Sequence, residues 1–237
     1  MNIHASTWNV ASINPNWPRR ATRIAKVIPR ETTILCTQEN GPSKRAVKLW
    51  YAIQELHGKH WLRVARGSGQ NVYYDSRVWK LEEAHLVKLG HAKAALLTNF
   101  THKGTNTPLT VVSAHLSPYS TAARRKVRQK QIRVLEKAVL KFAGSRPVLF
   151  SGDFNDGDKG VHEYLMRSVA GWDYAAPANR RKTIVPGNPG VPIDRHYTRD
   201  ITVTKTRIDT TTSKDHSEHL RVRLVAHTRK ARDEETD

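Results

Sequence analysis

The sequence predicts an α/β layered architecture with two packed sheets, folded as one domain. Predicted strands outnumber helices, and the helices fall at intervals between strand pairs, the alternation of a layered fold. No internal repeat is evident, which argues against solenoids and propellers. At 237 residues the chain can bury a sizeable core without dividing. The domain is placed at residues 1–228, and RKARDEETD (229–237) reads as a charged, disordered tail.

Residues 2–10 mix β-branched and aromatic types and end in a polar side chain at Asn9, the mark of a first strand. Pro15 and Pro18 set a loop. Residues 19–28 then place Ile24, Val27 and Ile28 on one side of a basic helix that Pro29 limits. ETTILCTQEN runs apolar until Gln38 and Glu39, a strand whose carboxylate emerges where the chain leaves the core. In SKRAVKLWYAIQELHGKH, the residues Ala46, Leu49, Trp50, Ile53 and Leu56 recur at helical spacing, so Trp50 reads as core.

Strands follow near 62–66, 70–74, 84–89 and 94–100, punctuated by Gly67, Gly69, Asp75–Ser76 and Gly90. NTPLTVVSAHLSP is a further strand that stops at His115. Residues 121–143 form the best helix, with Ile132, Leu135, Val139 and Phe142 in one stripe. Its start is crowded with Arg124, Arg125, Lys126, Arg128 and Lys130, where the helix dipole disfavours positive charge. RPVLFSGDFND is a buried strand opening into a polar loop, and 161–169 is a short helix. Residues 176–192, with four prolines, two glycines and Arg180, Arg181 and Lys182, form a surface loop. Two last strands, near 197–204 and 219–227, flank TSKDHSEH.

Forty Lys and Arg against twenty-one Asp and Glu give a net charge of +19, more than solubility requires. Nucleic acid is the first polyanionic partner this suggests and an anionic membrane the second, although a solvated basic surface gives the same balance. The single cysteine, Cys36, lies in an apolar run and reads as a small buried hydrophobe, which leaves no internal disulfide. MNIHASTWNV lacks a basic region followed by an apolar one, and no stretch approaches the roughly 18 apolar residues of a bilayer span. A soluble, intracellular monomer is expected.

Six polar clusters border predicted strands: Asn9, Glu39, His115, Asp153 with Asn155, Asp194, and Asp215 with His216. Strands ending on one edge can gather such residues into a single site. Hydrolysis of a phosphodiester needs a hard cation on the phosphate oxygens, an oriented water and help for the departing oxygen. Carboxylates and amides suit magnesium, and histidines suit proton transfer or charge stabilisation. Each cluster alone has an ordinary structural reading, Asp215–His216 as a turn and GDFND as an Asx-rich loop. Their order carries the signal.

That order resembles the endonuclease/exonuclease/phosphatase family across residues 5–225, through TWNV (7–10), TQEN (37–40), NVYYDSRVW (71–79), SAHL (113–116), SGDFND (151–156), PIDR (192–195) and SKDH (213–216). The resemblance implies a four-layer αββα sandwich of two mixed sheets, with the site at one end of both. It makes Glu39 the principal ligand of Mg2+ or Mn2+, with Asn9 and Asp215 near metal or phosphate. Asp153 orients or deprotonates the attacking water, and Asn155 holds the phosphate. His216 contacts the scissile phosphate and pairs with Asp194, which is preferred over Asp200 and Asp209 for its Ile-Asp context. His115 is a second phosphate contact or leaving-group acid. Ser217, Glu218 and His219 follow the terminal Asp-His where the family places a proline. Gln70 stands nearest to a place where deoxyribonuclease-like members carry a glutamate, and Lys93 where arginine is common.

Three functions follow: a metal-dependent nuclease with DNA preferred to RNA, a phosphoinositide or phospholipid head-group phosphatase of the same fold, and an inactive nucleic-acid-binding protein. For the first, Lys93, Arg124, Arg125, Lys126, Arg128, Arg180, Arg181 and Lys182 are the candidate phosphate contacts, since neutralisation by Lys and Arg drives sequence-independent binding.

Overall fold

A computed structural model of the chain describes residues 1–11, 17–41, 43–118, 121–156, 160–178, 193–209, 217 and 219–228. In chain order these form β1 (Asn2–Asn9), α1 (Trp17–Lys26), β2 (Ile34–Gln38), α2 (Ser43–His57), β3 (Trp61–Ala65), β4 (Asn71–Asp75), β5 (Trp79–Gly90) and β6 (Lys93–His102). There follow β7 (Pro108–His115), α3 (Ala122–Ala143), β8 (Val148–Asp153), α4 (Val161–Arg167), β9 (Asp173–Tyr174), β10 (Asp194–Arg199), β11 (Ile201–Ile208) and β12 (Val222–Thr228). Residues 179–192 of the loop predicted at 176–192, the tail at 229–237, and Arg180, Arg181, Lys182, Asp215 and His216 lie outside the described residues.

Two six-stranded sheets result, ordered β11-β12-β1-β2-β4-β3 and β5-β6-β7-β8-β10-β9. Both are mixed, because β1 runs parallel to β2 and β7 parallel to β8 while their other pairings are antiparallel. Three apolar clusters fix the layering. Trp8, Ile24, Leu35, Leu49 and Ile53 seat α1 and α2 on the first sheet. Ile3, Cys36, Val111, Leu149 and Leu224 lie between the sheets. Val112, Ile132, Leu135, Val139 and Phe150 seat α3 and α4 on the second sheet. The order is therefore the expected αββα sandwich.

Successive side chains of a strand point to opposite faces, and this period of two decides where the polar residues go. Ile3 and Ala5 face the partner sheet, so Thr7 and Asn9 do as well. The same parity carries Leu109 and Val111 to Ser113 and His115, and Leu149 to Ser151 and Asp153. The space between the sheets thus grades from an apolar core through a polar layer to the strand ends. In that layer the Gln38 amide donates to Thr7 Oγ1 of its own sheet at 3.2 Å and to Ser113 Oγ of the other sheet at 3.1 Å.

The strand expected at 197–204 is two strands in different sheets. β10 belongs to the second and β11 to the first, and the chain crosses at Asp200, whose φ of 57° makes the corner. β5 starts at Trp79, earlier than expected, in an edge segment with a bulge between Leu81 and Glu83. Gly152 of the GDFN motif has a packing reason: a Cβ there would sit 2.2 Å from the Ala114 carbonyl oxygen of the parallel neighbour β7.

Candidate active site

Register brings the polar strand ends together. Asp194 pairs directly with Asp153, Asp153 with His115, and Asn9 with Gln38, one residue before Glu39. Glu39 and Asn155 leave their strands with φ of 52° and 50°, a left-handed conformation that costs non-glycine residues and that the surrounding bonds must hold.

Asn9 stands at the centre. Its Nδ2 donates to Asp153 Oδ2 at 2.9 Å and to Glu39 Oε1 at 3.1 Å, while its Oδ1 accepts from the Ala11 N–H. Asp153 is 1% exposed, and its other oxygen accepts from the Asn155 N–H at 2.9 Å. Asn155 is tied in turn through Nδ2 to the Leu116 carbonyl. Burial pushes the Asp153 carboxyl above its ordinary range and Asp194 adds to this, against the opposing pull of His219, His115 and the Asn9 hydrogen bond.

Among the described residues, Asp194 holds His219. Its Nδ1–H donates to Asp194 Oδ2 at 2.8 Å, and Asp153 Oδ2 lies 4.0 Å away. The pairing expected of His216 falls outside the described residues, and among those described Asp194 pairs with His219. Burial opposes charge on the His219 ring. Asp194, through charge and hydrogen bond, with Asp153 and Glu39, outweighs it and raises the pKa to about 10. This balance favours the protonated ring. Ser217 Oγ donates to the Asn9 carbonyl at 2.5 Å and accepts from the His219 N–H, and the Trp8 indole donates to the His219 carbonyl, which anchors the loop to β1.

His115 has the opposite state. Burial lowers its pKa to about 4, with help from Lys93 and His219 and against Asp153. Lys93 Nζ lies 3.0 Å from His115 Nε2, and Glu39 and Asp153 oxygens both lie 3.7 Å from that nitrogen. Lys93 therefore sits within the polar cluster, where its own pKa is lowered by burial. Gln70, 4% exposed, lines the same cleft of about 560 Å³ as His115, and its Oε1 is buried without a partner.

The rival acids are accounted for. Asp209 is bonded to the buried Arg221, and Asp200 occupies the corner beside Arg199. Arg128 needs correction as a phosphate contact. It is 2% exposed, and its guanidinium donates to the Ser117 carbonyl and pairs with Asp156, so its charge is spent inside the fold. Arg125 and Lys126 are exposed near the start of α3, and Arg124 is half-buried.

Asp153, Asp194 and His219 offer ligand atoms within 4.8 Å of one another. His219 Nδ1 already donates to Asp194 Oδ2 at 2.8 Å, so in this arrangement those two atoms serve each other rather than a cation. Glu39 fits a hard cation better. Its side chain is 34% exposed on the cleft, and Oε2 takes no hydrogen bond among the described residues. A carboxylate oxygen so placed is the donor type that magnesium or manganese prefers. His219 joins the candidate site without having been singled out by motif order. Two acid–histidine pairs stand in SKDHSEH, and closeness to the last strand distinguishes the second.

A model of the Endonuclease/Exonuclease/phosphatase family matches residues 6–219. Comparison with curated proteins gives no match. Among solved structures, an endonuclease/exonuclease/phosphatase from Bacteroides vulgatus superposes with a TM-score of 0.82 at 17% identity, covering 96% of this chain and 99% of that one. D. rerio TDP2 complexed with single-strand DNA product gives 0.77 at 15%, covering 96% and 99%. A mannosyl-6-phosphatase from Bacteroides thetaiotaomicron gives 0.75 at 13%, covering 94% and 99%. At these identities the likeness concerns the fold.

Proposed function

Because the chain belongs to the endonuclease/exonuclease/phosphatase family, whose members generally hydrolyse phosphoester bonds, we propose that it is a divalent-metal-dependent nuclease, with DNA preferred to RNA. The observation that carries this is the contact network of Asn9, Glu39, His115, Asp153, Asp194 and His219, which opens to the cleft at Glu39 and His115, in a protein with net charge +19. The DNA product in the TDP2 complex supports the choice of polymer.

Glu39 would hold Mg2+ or Mn2+, with Asp215 as the second acidic candidate, and the bound ion would polarise a phosphoryl oxygen and offset its developing charge. Asp153, fixed by Asn9 and the Asn155 N–H, accepts the proton of the attacking water, a task that suits a carboxylate with a raised pKa. The His219 imidazolium, oriented by Asp194, donates to a non-bridging phosphate oxygen and stabilises the charge that accumulates there. Lys93 adds a second cation over His115, whose neutral ring accepts from it.

A second reading, a phosphomonoesterase acting on a sugar phosphate or inositol phosphate, is favoured by the mannosyl-6-phosphatase neighbour and by a cleft large enough for one head group. A substrate panel separates the two. Circular and linear DNA, RNA, an abasic duplex, and sugar and inositol phosphates are incubated with and without magnesium, with Asp153→Ala as control. Metal-stimulated strand cleavage that Asp153→Ala abolishes is expected. Phosphate release from the small substrates with every polynucleotide intact would overturn the nuclease assignment.

A further inference from the structure

Beyond the catalytic cleft, across the β5–β6 turn, lies a second groove of about 280 Å³ against α3. The two share Lys88 and Gly90, so they are continuous over the turn. The turn is built from three successive residues in the left-handed region, Gly90, His91 and Ala92, and holds His91 exposed on the groove's edge. The floor is fixed. Gln131, 2% exposed, donates to the Leu89 and Gly90 carbonyls at 3.3 Å and to Ser117 Oγ at 3.0 Å. Val127 and Val134 make the α3 wall apolar, and Val134 is 53% exposed in the middle of a charged surface.

That surface is ordered. Lys126, Lys130, Arg133, Lys137 and Lys141 are all exposed, and at about 100° per residue they fall within an arc of about 80° along roughly 22 Å of helix. Steps of three or four residues separate them by about 5–6 Å along the axis, a single file of cations rather than a disc. α3 has one acid, Glu136, which is buried and takes hydrogen bonds from Tyr164, Ser168 and Trp172. None of the five cations pairs with a carboxylate among the described residues.

We propose that this groove is a second nucleotide subsite of the nuclease: it takes a base of an unpaired strand whose scissile phosphate lies at Glu39 and His219, with intervening phosphates on Lys88 and those beyond on the α3 file. The inference rests on the nuclease reading. A line of charge continuous with a phosphodiester site fits a strand better than a membrane, which would need a broad basic face.

The test pairs Lys130→Glu with Val134→Glu in the full chain, both positions being exposed and outside the catalytic cleft, and uses Lys130→Arg as the conservative control. Anisotropy of a labelled single-stranded decanucleotide in EDTA reads binding. Turnover of thymidine 5′-(p-nitrophenyl phosphate) with magnesium reads the catalytic cleft alone. The double variant is expected to bind the decanucleotide roughly tenfold more weakly, with a salt slope shallower by about one, while Lys130→Arg binds as wild type and small-substrate turnover is unchanged. Unchanged decanucleotide binding would overturn the subsite, as would an equal loss of small-substrate turnover. Lost binding to phosphatidylserine vesicles with the decanucleotide still held would overturn it in favour of a membrane contact. If the wild type neither binds nor cleaves any oligonucleotide, the nuclease reading fails first, a result that needs no variant.

Discussion

Replacing His219 with alanine tests the site most directly. The ring lies 2.8 Å from Asp194 and is held as a cation by two buried carboxylates, so its loss removes the charge assigned to the phosphate and leaves Asp194 without that partner. Loss of such a transition-state contact lowers kcat by about 10²–10⁴-fold, or about 3–5 kcal/mol of barrier. Breaking a buried pair costs about 3–5 kcal/mol of stability as well. The two effects separate by pH. The pKa rises from 6.5 in the unfolded chain to about 10 in the fold, so the stabilisation is complete below about 6.5 and is lost as pH rises through about 10, an upper limit of about 5 kcal/mol. Hydrolysis of bis(p-nitrophenyl) phosphate with manganese gives kcat, and urea unfolding at pH 6, 8 and 10 gives the stability gap between wild type and variant, which should narrow upward. A kcat within about threefold of wild type, together with a gap independent of pH, would refute the role of His219.

His196 gives an opposite pH signature away from the cleft: burial, against the Val222 carbonyl, lowers its pKa to about 4, so its contribution is complete above about 6.5 and fades as pH falls towards 4. The stability gap between wild type and His196→Leu should therefore shrink by about 2–3 kcal/mol between pH 7 and pH 4.5 in urea unfolding, and a constant gap would count against a buried neutral ring. Gly152→Ala should destabilise by about 3 kcal/mol or more, because the new methyl meets backbone that cannot turn aside, and thermal unfolding no lower than wild type would contradict the close approach of β7 and β8.

The layers were legible because the apolar periods are strong. β2, β7 and β8 run apolar to a polar terminus, β1 carries Ile3 and Ala5 at alternate positions before Asn9, and α3 shows its core stripe at 132, 135 and 139. The corner between β10 and β11 was not legible, since no glycine or proline marks it and Asp200 takes the left-handed turn instead. Arg128 could have been placed correctly. It stands four residues before Ile132 and seven before Leu135, on the buried face, so helical spacing outweighs membership of a basic run. His219 is the harder case. Local sequence favours either acid–histidine pair of SKDHSEH, and what selects His219 is long-range: the pairing of β12 with β1 and the Ser217 bond to Asn9.

The same periodicity that builds the core sets the chemistry. Asn9, His115, Asp153 and Asp194 share the inward parity of Ile3, Val111, Leu149 and His196, so a one-residue slip of any strand would put its polar terminus on the helix side and its apolar residues out of register together. Register is enforced by the polar layer as well as by the core. His196 uses both ring nitrogens, donating from Nε2 to the Val222 carbonyl of the opposite sheet at 3.1 Å and accepting at Nδ1 from Ser151 at 2.7 Å. Gln38 bridges the sheets one layer from Glu39. Satisfied buried hydrogen bonds of this kind are costly to break and directional, so they hold two sheets at one relative offset where apolar packing alone tolerates sliding. The carboxylates can then be buried a few ångströms apart because their partners, Asn9 and His219, are delivered by the other sheet at that offset.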